Sequence, residues 1–172
     1  MATFAVNTGC RDSEICNLKW EWLVDVPQLN TAVFILPGTL VKNGDDRLVV
    51  LNDIALEIIQ RRKETHRTHV FHFNGQPVTR MLNSAWIRAR QSVGLPQVRV
   101  HDLKHTFGRR LRSAGVSFED RQDLLGHRSG RITTHYSAAE LSRLLEAANS
   151  VCNVDGENQQ PEIVVLRRIS AS

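Results

Sequence analysis

A chain of 172 residues, 41% of them apolar, is long enough for one compact domain with a core of its own, and its net charge of +4 permits a polyanionic partner without requiring one. Three cysteines, Cys10, Cys16 and Cys152, stand in no CxxC spacing; they argue against a zinc ribbon or thiol-redox motif and for a reduced, intracellular protein whose cysteines serve as small buried apolar residues. No stretch approaches the roughly 18 to 20 apolar residues of a membrane span, and the opening MATFAVNTGCR has no basic segment of the kind a signal peptide carries, so neither insertion nor secretion is expected.

Phe4 and Val6 run into the Thr8-Gly9 break as the end of a helix does. A short helix is expected over 12–19, then extended runs over 22–26, 32–36 and 48–51. Pro27, Pro37-Gly38 and Asn43-Gly44-Asp45-Asp46 supply the turns, which together predict a small antiparallel sheet. Asn52 or Asp53 caps a helix with Ile54, Ile58 and Ile59 on one face, and Arg61, Arg62 and Lys63 lie at its carboxyl end, where cations oppose the helix dipole. Another strand is expected over 69–73. Thr79 then caps a helix whose Leu82, Ala85, Trp86, Ala89 and Val93 recur at helical spacing as core residues, with Gly94 and Pro96 as its stop.

A second run of helices begins near His101. Leu103, Phe107 and Leu111 form one stripe, Ser117 caps the next helix, Gly126 ends it, and Tyr136 falls in or near a further short one. Leu141, Leu144, Leu145 and Ala148 mark a closing amphipathic helix. Residues 153–162 read as a polar linker, and 163–166 as a lone strand that needs a neighbouring edge to pair with.

The charge is uneven. Between 99 and 131, eight lysines and arginines meet four acidic residues, and the chain's single tyrosine, Tyr136, stands just beyond. Such a cluster neutralises phosphates. Nucleophilic attack on a phosphodiester needs a nucleophile, cations or hydrogen-bond donors around the pentacoordinate transition state, and an acid for the departing oxygen. A phenol has a pKa of about 10, so its neighbours must take its proton or stabilise its charge. His101, Lys104 and His127 are residue types suited to these tasks.

Three segments, TGCRDSEICNLKW at 8–20, HDLKHTF at 101–107 and LLGHRSGRITTHY at 124–136, resemble the phage-integrase family of tyrosine recombinases in order and in spacing. The resemblance covers residues 5–150. It implies an α+β fold: a mostly helical catalytic domain with a small three-stranded antiparallel sheet over residues 1–152, followed by the linker and strand of 153–172. The amino-terminal core-binding domain with which such recombinases clamp DNA is expected to be absent from this chain. Carried over residue by residue, the family's mechanism implies that Arg11 binds the scissile phosphate, that His101 and His127 donate hydrogen bonds or shuttle protons, and that Tyr136 attacks, leaving a 3′-phosphotyrosyl link and a 5′-hydroxyl. Lys42, in VKNGDDR, matches the lysine that protonates the leaving oxygen, and Glu14 the acidic residue that braces the arginine.

The resemblance further implies site-specific recombination, in integration or excision of phage or mobile DNA, with no metal or other cofactor. The expected partner is double-stranded DNA in the cytoplasm of a prokaryotic host, bound as a tetramer by the full-length protein and by a monomer or weak dimer of this chain alone. One position departs from the family: Lys104 stands where a second arginine is usual. Lysine keeps the charge but lacks the planar fork that grips two oxygens, which predicts cleavage slower by a factor of about ten to a few hundred.

Two other readings use the same residues. His101 and His105 lie four apart, the spacing of zinc hydrolases, with His127 as a third ligand and Asp102 nearby; the glutamate of HExxH is an aspartate here. Alternatively the chain is a truncated or degenerate recombinase that only binds DNA or a protein partner.

Overall fold

Branched and aromatic residues between the turn signals pair as the pattern predicts. In the computed structural model, which describes residues 1–42, 44–127 and 136–152, strands β1 (Leu23–Val26), β2 (Thr31–Leu36) and β3 (Arg47–Val50) form an antiparallel sheet in that order, with Val24 opposite Val33 and Phe34 opposite Val49. Side chains alternate across a strand, and β3 uses the alternation to join two cores. Val49, with Leu51 just after the strand, enters the larger cluster around Phe4, Ile15, Phe34 and Phe71; Val50 and Leu48 pack with Phe107, Leu111 and Leu124 in the second.

Seven α-helices are described: α1 (Ala2–Thr8), α2 (Asp12–Cys16), α3 (Asp53–Arg62), α4 (Ser84–Ser92), α5 (Val100–Ser113), α6 (Phe118–Leu125) and α7 (Ala138–Asn149). The fold is α+β and mostly helical. Capping chemistry sets several of the ends. Asn52 accepts from Ala55 N at 3.0 Å, Ser117 from Asp120 N at 3.1 Å, and Ser137 exchanges bonds with Glu140 in a capping box. The apolar face of α7 lies on its own chain: Leu144 and Ala148 are buried in the second core, while Arg143 bonds Asp120 at 3.0 Å and Asn149 accepts from Asp53 N at 2.8 Å.

Several expectations need correction. The helix expected over 12–19 stops at Cys16, because the chain beyond it turns extended to pair with the 68–70 segment: Val70 N donates to Leu18 O and Trp20 N to Thr68 O. The strand expected over 69–73 reduces to a bridge between His69 and Lys19 and a two-residue β4 (His72–Phe73) against β5 (Gln76–Pro77). Helix α4 is capped by Asn83, whose side chain accepts from Trp86 N at 3.1 Å, and not by Thr79; none of its residues is buried, and its neighbours Leu82 and Val93 are exposed rather than core. Tyr136, expected in or near a helix, lies one residue before the cap of α7. Cys10 and Cys16 are buried as expected, Cys152 only partly. The linker and strand expected within 153–172 lie outside the described residues, as do Asn43 and 128–135. Among the described residues, no helix is long and apolar enough to cross a membrane.

Candidate functional site

Arg11 occupies the residue before α2, and its placement is local: its backbone N–H donates to Glu14 Oε2 at 2.7 Å, and its Nη1 to Glu14 Oε1 at 2.8 Å. Glu14 is fully buried. Burial alone would raise its pKa, yet the charge of Arg47 and the bonds from Arg11 hold it below the ordinary carboxylate range. Gly9 makes the α1–α2 corner possible, since it has φ +62° and a Cβ there would come within 2.9 Å of the Phe107 ring on α5. The TGxR segment is therefore pressed directly onto the helix that carries HDLKH.

Arg47 is the residue that the sequence reading missed. Its side chain, 3% exposed, bonds Glu14 through Nη1 and reaches the carbonyls of Thr8 and Gly9, both at 3.3 Å, and Leu124 at 3.2 Å through Nη2. It thus ties the Arg11 corner to the carboxyl end of α6. Lys104 donates to the next carbonyl, Leu125 O. Two cations on the last carbonyls of a helix satisfy acceptors that have no partner within it. Gly126 follows with φ +59° in the left-handed region, where a Cβ would overlap the Arg47 side chain, and His127 comes next.

On α5, residues 101, 104, 105, 108, 109 and 112 face one way, while Phe107 and Leu111 are buried behind them, as helical periodicity requires. This face lines a cavity of about 500 Å³. Arg11, Lys42, His101, Lys104 and His127 all border it, drawn from the α2 cap, the β2–β3 loop, α5 and the end of α6. Arg109, Arg112, Phe118 and Arg121 also line it, with His105, Gly108, Gln122 and Leu125. Of the predicted site residues, those five come together, with Glu14 behind Arg11.

The electrostatics of this cavity follow from burial and crowding. Lys104 is 5% exposed; desolvation, then Arg47 and Arg11, bring its pKa down to about 7. Desolvation, then Lys104, Arg11 and Arg47, lowers His127; desolvation, then His105, Lys104 and Arg99, lowers His101. The imidazoles therefore tend to be neutral near pH 7, each offering one N–H and one lone pair.

Tyr136 is not among the cavity's lining residues. It packs, partly buried, against the second core, and burial, then Asp123 and Glu140, raise its phenol pKa. His101 and His105 do approach, their rings edge to face with centroids 4.6 Å apart. Among the described residues, however, no group of three histidine, cysteine or acidic side chains is placed to hold a metal ion. His127, the third ligand of the zinc reading, does not complete such a group with His101 and His105.

A buried arginine-carboxylate corner beside a cavity of cations and neutral imidazoles is an arrangement chemically suited to hold an oxyanion. The model of the phage integrase family matches residues 1–143, and the chain belongs to that family. It is 28% identical over 166 residues to the integrase of Salmonella phage P22, covering 89% of this chain and 42% of that protein. It is 29% identical over 156 residues to the tyrosine recombinase XerC of Staphylococcus carnosus, covering 80% of this chain and 48% of the relative. The chain thus spans about half the length of the curated relatives it matches or less. Its fold is shared with the integrase of transposon Tn1549, solved in complex with circular intermediate DNA, at a TM-score of 0.57 and 20% identity over 81% of this chain and 54% of that one.

Proposed function

We propose that the chain is the catalytic part of an enzyme that cleaves and rejoins DNA through a 3′-phosphotyrosyl intermediate, in site-specific integration or excision of phage or other mobile DNA. The observation that carries this reading is the convergence of Arg11, Lys42, His101, Lys104 and His127 on one cavity. Arg11 and Lys104 hold the non-bridging oxygens of the scissile phosphate. His101 and His127 donate hydrogen bonds to the transition state or relay the phenolic proton. Lys42, exposed on its loop, delivers a proton to the leaving 5′-oxygen. These side chains supply the charge that a metal ion supplies in other phosphoryl transfers.

The nucleophile is Tyr136. It packs against the second core, as does Leu125, which also lines the cavity, and its raised pKa means that a base has to take its proton as it attacks. Residues 1–152 form the catalytic domain. The complete protein acts on double-stranded DNA in the prokaryotic cytoplasm as a tetramer, whereas this chain alone is a monomer or weak dimer, which light scattering tests. Cleavage itself is tested with a suicide duplex carrying a 5′-bridging phosphorothiolate. The chain should form a detergent-resistant protein–DNA adduct that disappears in Tyr136→Phe; an adduct that persists in this variant removes Tyr136 as nucleophile.

A further inference from the structure

The cavity is wider than the five residues around the scissile phosphate require. It is lined as well by Arg109 and Arg112 of α5, and by Phe118 and Arg121 of α6. Arg109 and Arg112 are exposed, and neither meets an acidic side chain at ion-pair distance among the described residues. Phe118 is 60% exposed although it is the first residue of its helix, where a polar side chain would serve as well. The Arg121 guanidinium lies 5.7 Å from the Phe118 ring centroid and is held there by a bond from its Nε to Ser117 O at 3.3 Å. An apolar ring with a cation on it, at the edge of a cation-lined recess, is the combination that binds single-stranded nucleic acid: phosphates on the cations, a base on the ring. Stacked duplex DNA offers no free base face to such a ring, so the ligand must have a base outside the helix. A cavity of about 500 Å³ lies within the usual range of ligand pockets, about 300 to 1,000 Å³.

We infer that Phe118, Arg109, Arg112 and Arg121 form a second subsite, which holds an unpaired nucleotide of the DNA strand beside the scissile phosphate, its base stacked on Phe118 and its flanking phosphates on the arginines. The inference rests on the proposed DNA cleavage only for the identity of the polyanion. A strand that has been cut must leave its partner before it can be joined elsewhere, and a site for its first unpaired nucleotide holds it at the cavity meanwhile.

The test compares two DNAs at low salt: a 30-base-pair duplex, and the same duplex with a three-nucleotide unpaired flap containing 2-aminopurine. Titrating the whole chain should show preference for the flapped duplex and a change in 2-aminopurine fluorescence on binding. In Phe118→Ala the preference should fall about tenfold and the fluorescence change should be lost, while Phe118→Trp retains both. Arg109→Gln with Arg112→Gln should flatten the salt dependence of flap binding by about two counterions. Equal affinity of the wild-type chain for the two DNAs, or an unaltered preference in Phe118→Ala, overturns the subsite and leaves the cleavage reading standing. Failure to bind either DNA overturns both.

Discussion

Arg47 and Glu14 meet in the interior, the guanidinium Nη1 on carboxylate Oε2, with 3% and 0% of the two side chains exposed. Because the same guanidinium also reaches the carbonyls of Thr8, Gly9 and Leu124, this pair fixes the distance between the Arg11 corner and the end of the helix before His127. Removing Arg47 leaves the buried Glu14 carboxylate with Arg11 as its remaining cation and takes a donor from the carbonyls of Thr8, Gly9 and Leu124. Arg47→Met is therefore expected to destabilise the chain by about 3–5 kcal/mol, measured by urea unfolding at pH 7. The folded pKa of Glu14 is depressed, so its contribution is present above the ordinary glutamate value of about 4.3 and is lost as the pH falls through the lower folded one. Wild-type stability should fall across that acidic window, and Arg47→Met should show a shallower fall. Parallel curves for the two proteins would mean that Arg47 does not set the titration of Glu14.

Gly126 lies against that arginine. With φ +59° and no room for a Cβ beside Arg47, Gly126→Ala combines backbone strain of about 1–2 kcal/mol with a steric clash. Thermal unfolding should drop accordingly, and adduct formation should drop further because His127 is the next residue. A variant as stable as the wild type would show that the Arg47 side chain yields without cost.

How much of this was legible in the sequence follows from where the information is local. Caps such as Asn52, Ser117 and Gly126 are properties of a few adjacent residues, and the strand runs are bounded by their own turn signals; these elements were readable. Helix α4 was misread as core because apolar spacing reports a helix's periodicity but not whether another element covers it. Arg47 falls between the turn of 43–46 and the extended run expected over 48–51, and no motif singles it out. Its signal was its register: in period two with Val49 and Leu51 it falls on an inward position of β3. The recombinase motifs named Arg11, His101 and His127. They do not encode Phe118, whose interest arises only when α5 and α6 are folded around one cavity.

Lys104 is expected to be the proton sensor of the site. Its folded pKa of about 7 lies below the ordinary lysine value of about 10.4, so the free protein gains stability from this group as the pH rises between those values. A bound phosphate favours the charged amine and raises the pKa again. DNA binding at pH 8 should then take up close to one proton, detected by calorimetry in buffers of different ionisation enthalpy. Lys104→Arg, charged throughout, should abolish most of that uptake; uptake of the same size in the variant would assign the proton elsewhere.

Kinetic consequences differ between the cations. Arg11→Ala removes an oxyanion donor and the side-chain bond to Glu14, and adduct formation should slow by about 100- to 1,000-fold in single-turnover assays. Lys104→Ala should slow it by about ten- to a few hundredfold, and Lys104→Arg should at least preserve it. Equal rates for wild type, Lys104→Arg and Lys104→Ala would remove Lys104 from the reaction.

The central claim is that Tyr136 becomes covalently attached to DNA through its phenolic oxygen. Its most direct measurement is mass spectrometry of the trapped adduct after proteolysis and nuclease digestion. The account predicts nucleotide phosphate on the peptide containing Tyr136, on the phenolic oxygen itself. Attachment to any other side chain, or no covalent product under conditions where the suicide duplex is bound, would contradict it.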